Sequence, residues 1–490
     1  MSSRAPLRRL RPFDVMFLRL ETPQAPCHFG GLAVLEGGAL LDDEGRLRLP
    51  ELAARIERRL SLVPQLRRRV LWPGPLGGRP VWVDDERFAI ERHVHETRVP
   101  PPGGERELLE TAARVYGPVL DRGRPLWELW FLTGMRDGRV GALLKLHHAV
   151  ADGMAAVAVL ASLFDVAPDV PDPAPSAWQP EPAPTRRSIR ADDLSRKADA
   201  LGGVARDLRR PGGLERAGAS LARTSRLARS YAGANRDLRA PRTSLNRPVG
   251  AGRVVRVVAL DLAAVKEVAH AHDAKVNDVV LDLWLGGMRT LLASRGERLP
   301  AELVASIPVS LRAGDGPRTV DNQSGFMATA LPAREPDPVR RLALVADRTR
   351  RIKAGQDPEA IAAFLAAVAA TPIGRAYTRR QRTSNTIVTN VPGPPAPVYL
   401  LGARIEQIWP IIGLVGNIGL ICCAFSYTGR LSLVVTADAT TFPDLDVLID
   451  GIDAAWHGLS PDRHASALHL RVARSDQAGV GSAAAVHEIG

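Results

Sequence analysis

Two periods run through the apolar positions of this chain, and one short stretch follows neither. Residues 141–147, Gly-Ala-Leu-Leu-Lys-Leu-His, are almost continuously apolar and lie between Asp137-Gly138 and Asp152-Gly153. A run this short, flanked by turn pairs, suits a buried strand better than a helix. A helix is expected directly after it, over residues 154–160, once Gly153 has supplied a position free to take positive φ. Residues 51–62 and 105–116 carry helical spacing, while 88–99 and 124–131 read as strands. Residues 11–36 read as a loop leading into a strand. Farther on, strands are expected over 254–262, 303–310 and 385–394, a helix over 276–294 with Asn277 as its N-cap, and an alanine-rich helix over 358–370.

Proline divides the pattern. Residues 168–188 contain Pro-Asp-Val-Pro-Asp-Pro-Ala-Pro and Pro-Glu-Pro-Ala-Pro, a linker that closes a first domain. The expected units are residues 1–180, a basic linker at 181–243, a second domain at 244–460, and a disordered Ala/Gly/Ser-rich tail at 461–490. A hydrophobic content of 45% with 24% charged residues excludes a disordered chain.

Charge changes the picture in one place. Between Arg186 and Arg256 stand 18 Arg and Lys against 6 Asp and Glu, a balance of +12 that equals the net charge of the whole chain. Leu194, Ala198, Leu201, Val204 and Leu208 form one helical stripe there, followed by Leu214, Ala217, Leu221, Ala228 and Tyr231. Arg216, Arg223, Arg226 and Arg229 fall on the opposite face of the second helix. Such helices either cover the protein's own surface or lie on anionic lipid, where each basic residue contributes about 1 kcal/mol. Nucleic acid is disfavoured, because no aromatic platform is interleaved with these arginines.

Three cysteines, Cys27, Cys422 and Cys423, make no disulfide framework and fit a reducing cytoplasm. The N-terminal arginines precede no apolar core, so no signal peptide is expected. The longest uncharged run, residues 407–429, has the length of a membrane span. Pro410, Asn417 and the turn-like 413–416 break it, which favours strand, loop, strand.

The candidate chemistry sits at the end of the buried strand. His147 and His148 are adjacent, so in an extended chain they point to opposite faces and cannot do the same job. One is a reagent and the other a support. Asp152 lies beyond the strand, placed to cap the turn, to ion-pair or to fix a histidine tautomer. His147, His148 and Asp152 are all ordinary metal ligands, but opposite strand faces argue against a metal site, and none is expected.

His147-His148-Ala149-Val150-Ala151-Asp152-Gly153 matches the H-H-x-x-x-D-G motif of the CoA-dependent acyltransferase superfamily. Its surroundings resemble the bacterial wax ester synthase/diacylglycerol acyltransferase family. The supporting motifs are Pro125-Leu126-Trp127, Asn277-Asp278, Pro308-Val309-Ser310-Leu311-Arg312, Asp321-Asn322-Gln323 and Asn390-Val391-Pro392-Gly393-Pro394, in family order over about residues 11–455. Asp321 stands where the family carries glycine, and Thr389 where it carries serine before Asn-Val-Pro-Gly-Pro.

The resemblance implies an α/β fold of two chloramphenicol acetyltransferase-like domains meeting at a central tunnel. It implies acyl transfer from acyl-CoA to diacylglycerol or a fatty alcohol, with acyl-CoA as substrate and no separate cofactor. By resemblance His148 is the base, His147 supports it, and Asp152 with Gly153 holds the loop. Asn277 polarises or positions substrate, and Arg312 pairs with a carboxylate or a CoA phosphate. A buried Asp152 needs a cation, for which Arg67, after Pro64-Gln65-Leu66, is the candidate. Trp127 is expected to brace the histidine strand. Location would be cytoplasmic, with peripheral contact to a membrane or lipid droplet. Two other readings stand beside it, a condensation-type enzyme of peptide or polyketide metabolism and a non-catalytic lipid-surface protein; CoA release separates them.

Overall fold

The computed structural model describes residues 7–74, 77–150, 162–174, 178–212, 239–310, 324–355 and 379–460, with positions 159, 214, 215, 218, 219, 222 and 376. Asp152, Gly153, Arg312, residues 321–323, the helix expected at 358–370, the tail from 461 and the four arginines of the second basic helix lie outside the described residues.

The strands are β1 (His28–Leu35), β2 (Arg68–Leu71), β3 (Val81–Asp84), β4 (Val94–Arg98), β5 (Trp127–Thr133), β6 (Val140–His147), β7 (Arg253–Asp261), β8 (Leu303–Ser310), β9 (Ser324–Leu331), β10 (Thr386–Pro392), β11 (Tyr399–Leu400), β12 (Ala403–Ile412), β13 (Leu420–Tyr427) and β14 (Arg430–Asp438). The helices are α1 (Pro12–Leu20), α2 (Leu49–Arg59), α3 (Glu105–Tyr116), α4 (Arg186–Arg209), α5 (Leu262–Ala271), α6 (Val276–Ser294), α7 (Pro338–Gly355) and α8 (Leu445–Leu459).

Two six-stranded mixed sheets carry the fold. The first has the order β11-β12-β1-β6-β5-β4, the second β7-β14-β13-β10-β8-β9. In the first sheet β6 lies between β1 and β5, antiparallel to both, and is buried along its whole length. This accounts for its continuous apolar sequence, since neither face meets water. Leu144 and Leu146 pack on the α2 side with Phe29, Ile56 and Leu129. Leu143 packs on the other side with Leu108 and Tyr116 of α3 and with Val255, Cys423 and Val434 of the second sheet. α5, α6, α7 and α8 cover the second sheet's far face, with Trp284 and Trp456 fully buried there.

The two sheets do not divide the chain into its two halves. β12, far beyond the linker, pairs antiparallel with β1, and β11 pairs with β12, so residues 399–412 complete the first sheet from inside the second expected unit. Just past β12, Gly413 runs so close to the start of β1 that a Cβ would stand 2.8 Å from the His28 carbonyl oxygen and 2.9 Å from that of Pro26. Glycine alone permits that approach.

Two local expectations change, and the structure adds detail at two further places. Residues 12–20 form a helix where a loop was read: Arg11 N–H donates to Asp14 Oδ2 at 3.1 Å, an acidic first-turn cap, and Val15, Met16 and Leu18 face inward. The N-cap of α6 is Lys275, not Asn277; Lys275 N–H donates to the N3 carboxylate of Asp278 at 2.9 Å, whose other oxygen accepts from Thr349 Oγ1 at 2.7 Å. At the start of the proline-rich stretch Asp172 accepts from Arg55 and Arg59, and Arg59 also pairs with Asp165 at 2.7 Å. The stripe on α4 does not dock on the described protein surface: Leu194, Leu201 and Val204 are 65%, 73% and 58% exposed, while Ile189 alone among its large apolar residues is buried, against Val81 and Val83. Residues 407–429 form the expected strand, turn and strand, and no helix among the described residues is long and apolar enough to cross a membrane.

Candidate functional site

Pairing across β1 and β6 sets the site. His28 stands opposite His147 and Phe29 opposite Leu146, so His28 and His147 share one face. The ring of His28 meets Tyr116 edge-on, and its Nε2–H donates to the Tyr116 carbonyl at 2.7 Å. Burial, with the charge of Lys145, holds its pKa down at about 3. Lys145 is 1% exposed on that same face, where an unmatched ammonium would cost several kcal/mol. Its Nζ donates to the Val115 and Pro118 carbonyls, both at 3.1 Å, and to Glu128 Oε2 at 3.2 Å.

His147 is fully buried and its tautomer is assigned by its neighbours. Ala149 N–H donates to its Nδ1 at 2.9 Å, which leaves the proton on Nε2, 3.3 Å from Glu21 Oε2. Glu21, at the end of α1, also accepts from Cys27 N–H at 3.1 Å and from Arg122 Nη2 at 2.8 Å. Burial works to raise its pKa, but His147 and Arg122 outweigh it and hold the carboxylate at about 2. Cys27 closes the circuit, since its carbonyl accepts from His148 N–H at 3.0 Å. One carboxylate thus anchors the backbone beneath one histidine and the ring of the other.

His148 takes the opposite direction. Its half-buried ring stacks on Phe17, with centroids 4.6 Å apart and planes at 18°, and tilts against Phe29 at 4.9 Å. Burial first, then the neighbouring His147, hold its pKa down at about 3, so the imidazole is neutral at physiological pH. A cleft of about 570 Å³ reaches Cys27, whose carbonyl holds His148 N–H, and is lined by Leu20, Cys27, Pro248, Val249, Leu414 and Arg379. It joins the end of α1 to the turn after β12, where the two sheets meet.

Trp127 braces this assembly from β5: it stacks on His93 at 4.6 Å, and its Nε1–H donates to the Leu66 carbonyl at 2.7 Å. Arg67, the next residue, is buried with its guanidinium over Trp178 and Phe88 and donates to the Glu57 carbonyl at 3.0 Å. Among the described residues it makes no ion pair with a carboxylate, although the charge of Glu57 acts on it. Asn277 is half-buried in the first turn of α6 and has no described contact with either histidine. Among the described residues no three His, Cys, Asp or Glu are grouped to hold a metal.

Glu21, Arg122, Cys27, Phe17 and Phe29 were not singled out in the sequence. Glu21 lies 126 positions before His147, and no spacing rule links a residue after a helix to a strand end so distant. The apolar repeat of residues 15–18 was the available signal, since it makes α1 a helix ending at Glu21.

Two mixed sheets flanked by helices, with a histidine pair at the end of a central strand of the first, form an α/β fold of the chloramphenicol acetyltransferase-like class. Residues 10–280 match the wax ester synthase/diacylglycerol acyltransferase catalytic domain, and residues 320–460 match the C-terminal domain of the same family. The chain belongs to the wax ester synthase/diacylglycerol acyltransferase family. It is 32% identical over 463 residues to a Mycobacterium tuberculosis protein named as a diacylglycerol O-acyltransferase, covering 92% of this chain and 90% of that one. A second protein of that organism, tgs1, named likewise, is 31% identical over 465 residues, covering 92% and 95%. Among solved structures it is similar to the wax ester synthase/diacylglycerol acyltransferase of Marinobacter aquaeolei VT8, with a TM-score of 0.67 and 24% identity over 92% of this chain and 98% of that one. The first condensation domain of the calcium-dependent antibiotic synthetase shares the fold at a TM-score of 0.58 and 17% identity, covering 94% and 98%.

Glu21→Gln removes the charge that orients His147 and keeps the shape. It is expected to lower kcat for CoA release roughly 10- to 100-fold, with little change in the KM for acyl-CoA; Glu21→Asp should recover part of the loss. Equal kcat in Glu21→Gln and wild type would remove the role.

The buried histidines also make stability depend on pH. The folded value of His28, about 3, lies below the unfolded value of about 6.5. The unfolded chain therefore binds the proton first, and the contribution of neutral His28 is present above pH ~6.5 and lost as pH falls toward 3. Asp282, raised to about 6 by burial, acts with the opposite sign in the same window. The comparison is therefore with His28→Gln, which keeps a donor for the Tyr116 carbonyl and does not titrate. Between pH 7 and pH 5 wild type should lose more stability than His28→Gln, by up to about 1.4 kcal/mol per pH unit in denaturant titrations. Parallel losses would contradict the assignment.

Proposed function

We propose that this protein transfers a long-chain acyl group from acyl-CoA directly to the hydroxyl of a diacylglycerol, or of a fatty alcohol, with His148 as general base. The observation that carries the reading is the neutral, half-buried imidazole of His148, flanked by two phenylalanines and tied through its backbone N–H to Cys27 on the wall of a cleft. The names of its mycobacterial relatives favour the diacylglycerol acceptor.

His148 takes the proton of the acceptor hydroxyl as the oxygen attacks the thioester carbonyl. The C–O bond forms, the C–S bond breaks, and the departing thiolate takes the proton back from the imidazolium, leaving ester and CoA-SH. General-base assistance of this kind typically accelerates by roughly 10² to 10⁴-fold. The three cysteines are buried, and burial raises each thiol well above its ordinary range, so none is an available nucleophile for an acyl-enzyme. In this reading His147 orients the strand end, Asp152 and Gly153 hold the following loop with Arg67 as the countercharge, and Asn277 and Arg312 contact substrate, as the family motif implies.

His148→Ala should abolish CoA release from palmitoyl-CoA with hexadecanol or dioleoylglycerol while the thermal transition is kept. Retained turnover would overturn the assignment. The acceptor that supports release in wild type identifies the product class, and no release with either acceptor would favour the condensation-type reading.

We propose further that α4 rests on a lipid surface, the source and sink of such water-insoluble acceptors and products. Its exposed Leu194, Leu201 and Val204 on a helix bearing Arg187, Arg190, Arg196, Lys197, Arg206 and Arg209 support this. Replacing the three apolar residues by Ser should reduce flotation with phosphatidylglycerol-containing vesicles several-fold. Undiminished flotation would defeat it.

A further inference from the structure

We infer that the arginine cleft between residues 239–248 and 379–382 binds the phosphate-bearing nucleotide end of the acyl-CoA thioester; the inference rests on the proposed use of acyl-CoA. A cavity of about 1050 Å³ is walled there by Arg242, Arg247, Arg379, Arg380 and Arg382, among others. Its two carboxylates are engaged elsewhere. Asp444 is gripped by Arg295 at 2.5 and 2.8 Å, and Glu297 accepts from the Ser244 backbone N–H at 3.0 Å.

None of the five arginines has a carboxylate within ion-pair distance among the described residues. Desolvation and the charges of Arg239 and Arg242 push the guanidinium of Arg382 below its ordinary range. Cations crowded without countercharge are a net electrostatic cost to the free protein and an attraction for a polyanion.

The cleft is built rather than incidental. Asn246 Nδ2 donates to the Ser384 carbonyl at 3.1 Å, Asn385 Nδ2 to Asn246 Oδ1 at 2.7 Å, and Gln381 Nε2 to Asn417 Oδ1 at 2.8 Å. Asn385 is fully buried, and Gln381 and Asn417 nearly so. These amides lace the two arginine-bearing loops together beneath the cavity. The fixed spacing of the loops spares a ligand part of the ordering cost.

Position supplies the last step. Pro248 and Arg379 line both this cavity and the smaller cleft, and the smaller cleft runs to Cys27, whose carbonyl holds His148 N–H. A ligand with phosphates at one end and a thioester at the other, joined by a thin uncharged arm, spans the two. Planar guanidinium groups match phosphate oxygens in paired hydrogen bonds.

The test compares palmitoyl-CoA with S-palmitoyl-pantetheine, which has the same thioester without the nucleotide, in wild type and in Arg242→Ala/Arg380→Ala/Arg382→Ala. Wild type should prefer palmitoyl-CoA in kcat/KM. The triple variant should lose that preference, through a fall of roughly 10- to 100-fold for palmitoyl-CoA alone. Adenosine 3′,5′-bisphosphate should compete with palmitoyl-CoA in wild type and not in the variant. The triple Lys variant should recover part of the preference, which a folding defect would not allow. An unchanged preference in the Ala variant, or equal losses with both thioesters, would overturn the inference while leaving acyl transfer intact. Loss of phosphatidylglycerol-vesicle flotation with unaltered palmitoyl-CoA kinetics would also overturn it, in favour of a lipid-reading surface. Absence of CoA release in wild type would instead sink the proposed function itself.

Discussion

A strand closed off from water on both faces governs this molecule. β6 carries Lys145 and His147 into the interior, and buried polar groups are tolerated only where fixed partners meet them. The chain therefore delivers acceptors to one face of β6: the last turn of α3 and the bend after it for Lys145, and the end of α1 for His147. His148, one residue farther, turns to the other face, where the rings of Phe17 and Phe29 flank it. An ionised ring would be poorly solvated there, which is why the imidazole stays neutral.

The second dependency is the return of the chain. β12 joins β1, the immediate neighbour of β6, so the histidine strand lies two places from a strand supplied from beyond the linker. A slip of one residue in either pairing would turn every side chain of the register to the wrong face and exchange His147 with His148. Gly413 shows how tightly this return is fitted, with backbone oxygens on both sides of where a side chain would stand. The cleft that reaches Cys27 and the arginine cavity beyond it lie along this seam, and both are walled by segments from distant parts of the chain.

Local signals were readable where one element decides them. The burial of β6, the alternation that separates the two histidines, and the break in residues 407–429 all follow from short-range pattern and were legible in the sequence. Three features were decided by tertiary neighbours and not by local pattern. Asn277 has good capping chemistry, but the N-cap of α6 falls two residues earlier, at Lys275, where Asp278 closes the turn. The proline-rich linker has spacer composition, yet Arg55 and Arg59 meet Asp172 and pin it to α2. The stripe on α4 was ambiguous by composition, and among the described residues its outer turns meet no protein surface.

The sequence by itself determined the class of chemistry, because a histidine pair with its flanking turn residues and the ordered family motifs are contiguous in the chain. It also determined that the two histidines take opposite faces, since strand alternation is a property of the backbone alone. Only the tertiary structure decided that Glu21 would govern both histidines, that residues 399–412 would complete the first sheet, and that arginines near 242 and 380 would share one cavity. Contacts across more than a hundred residues arise from sheet pairing and packing, and no local period records them.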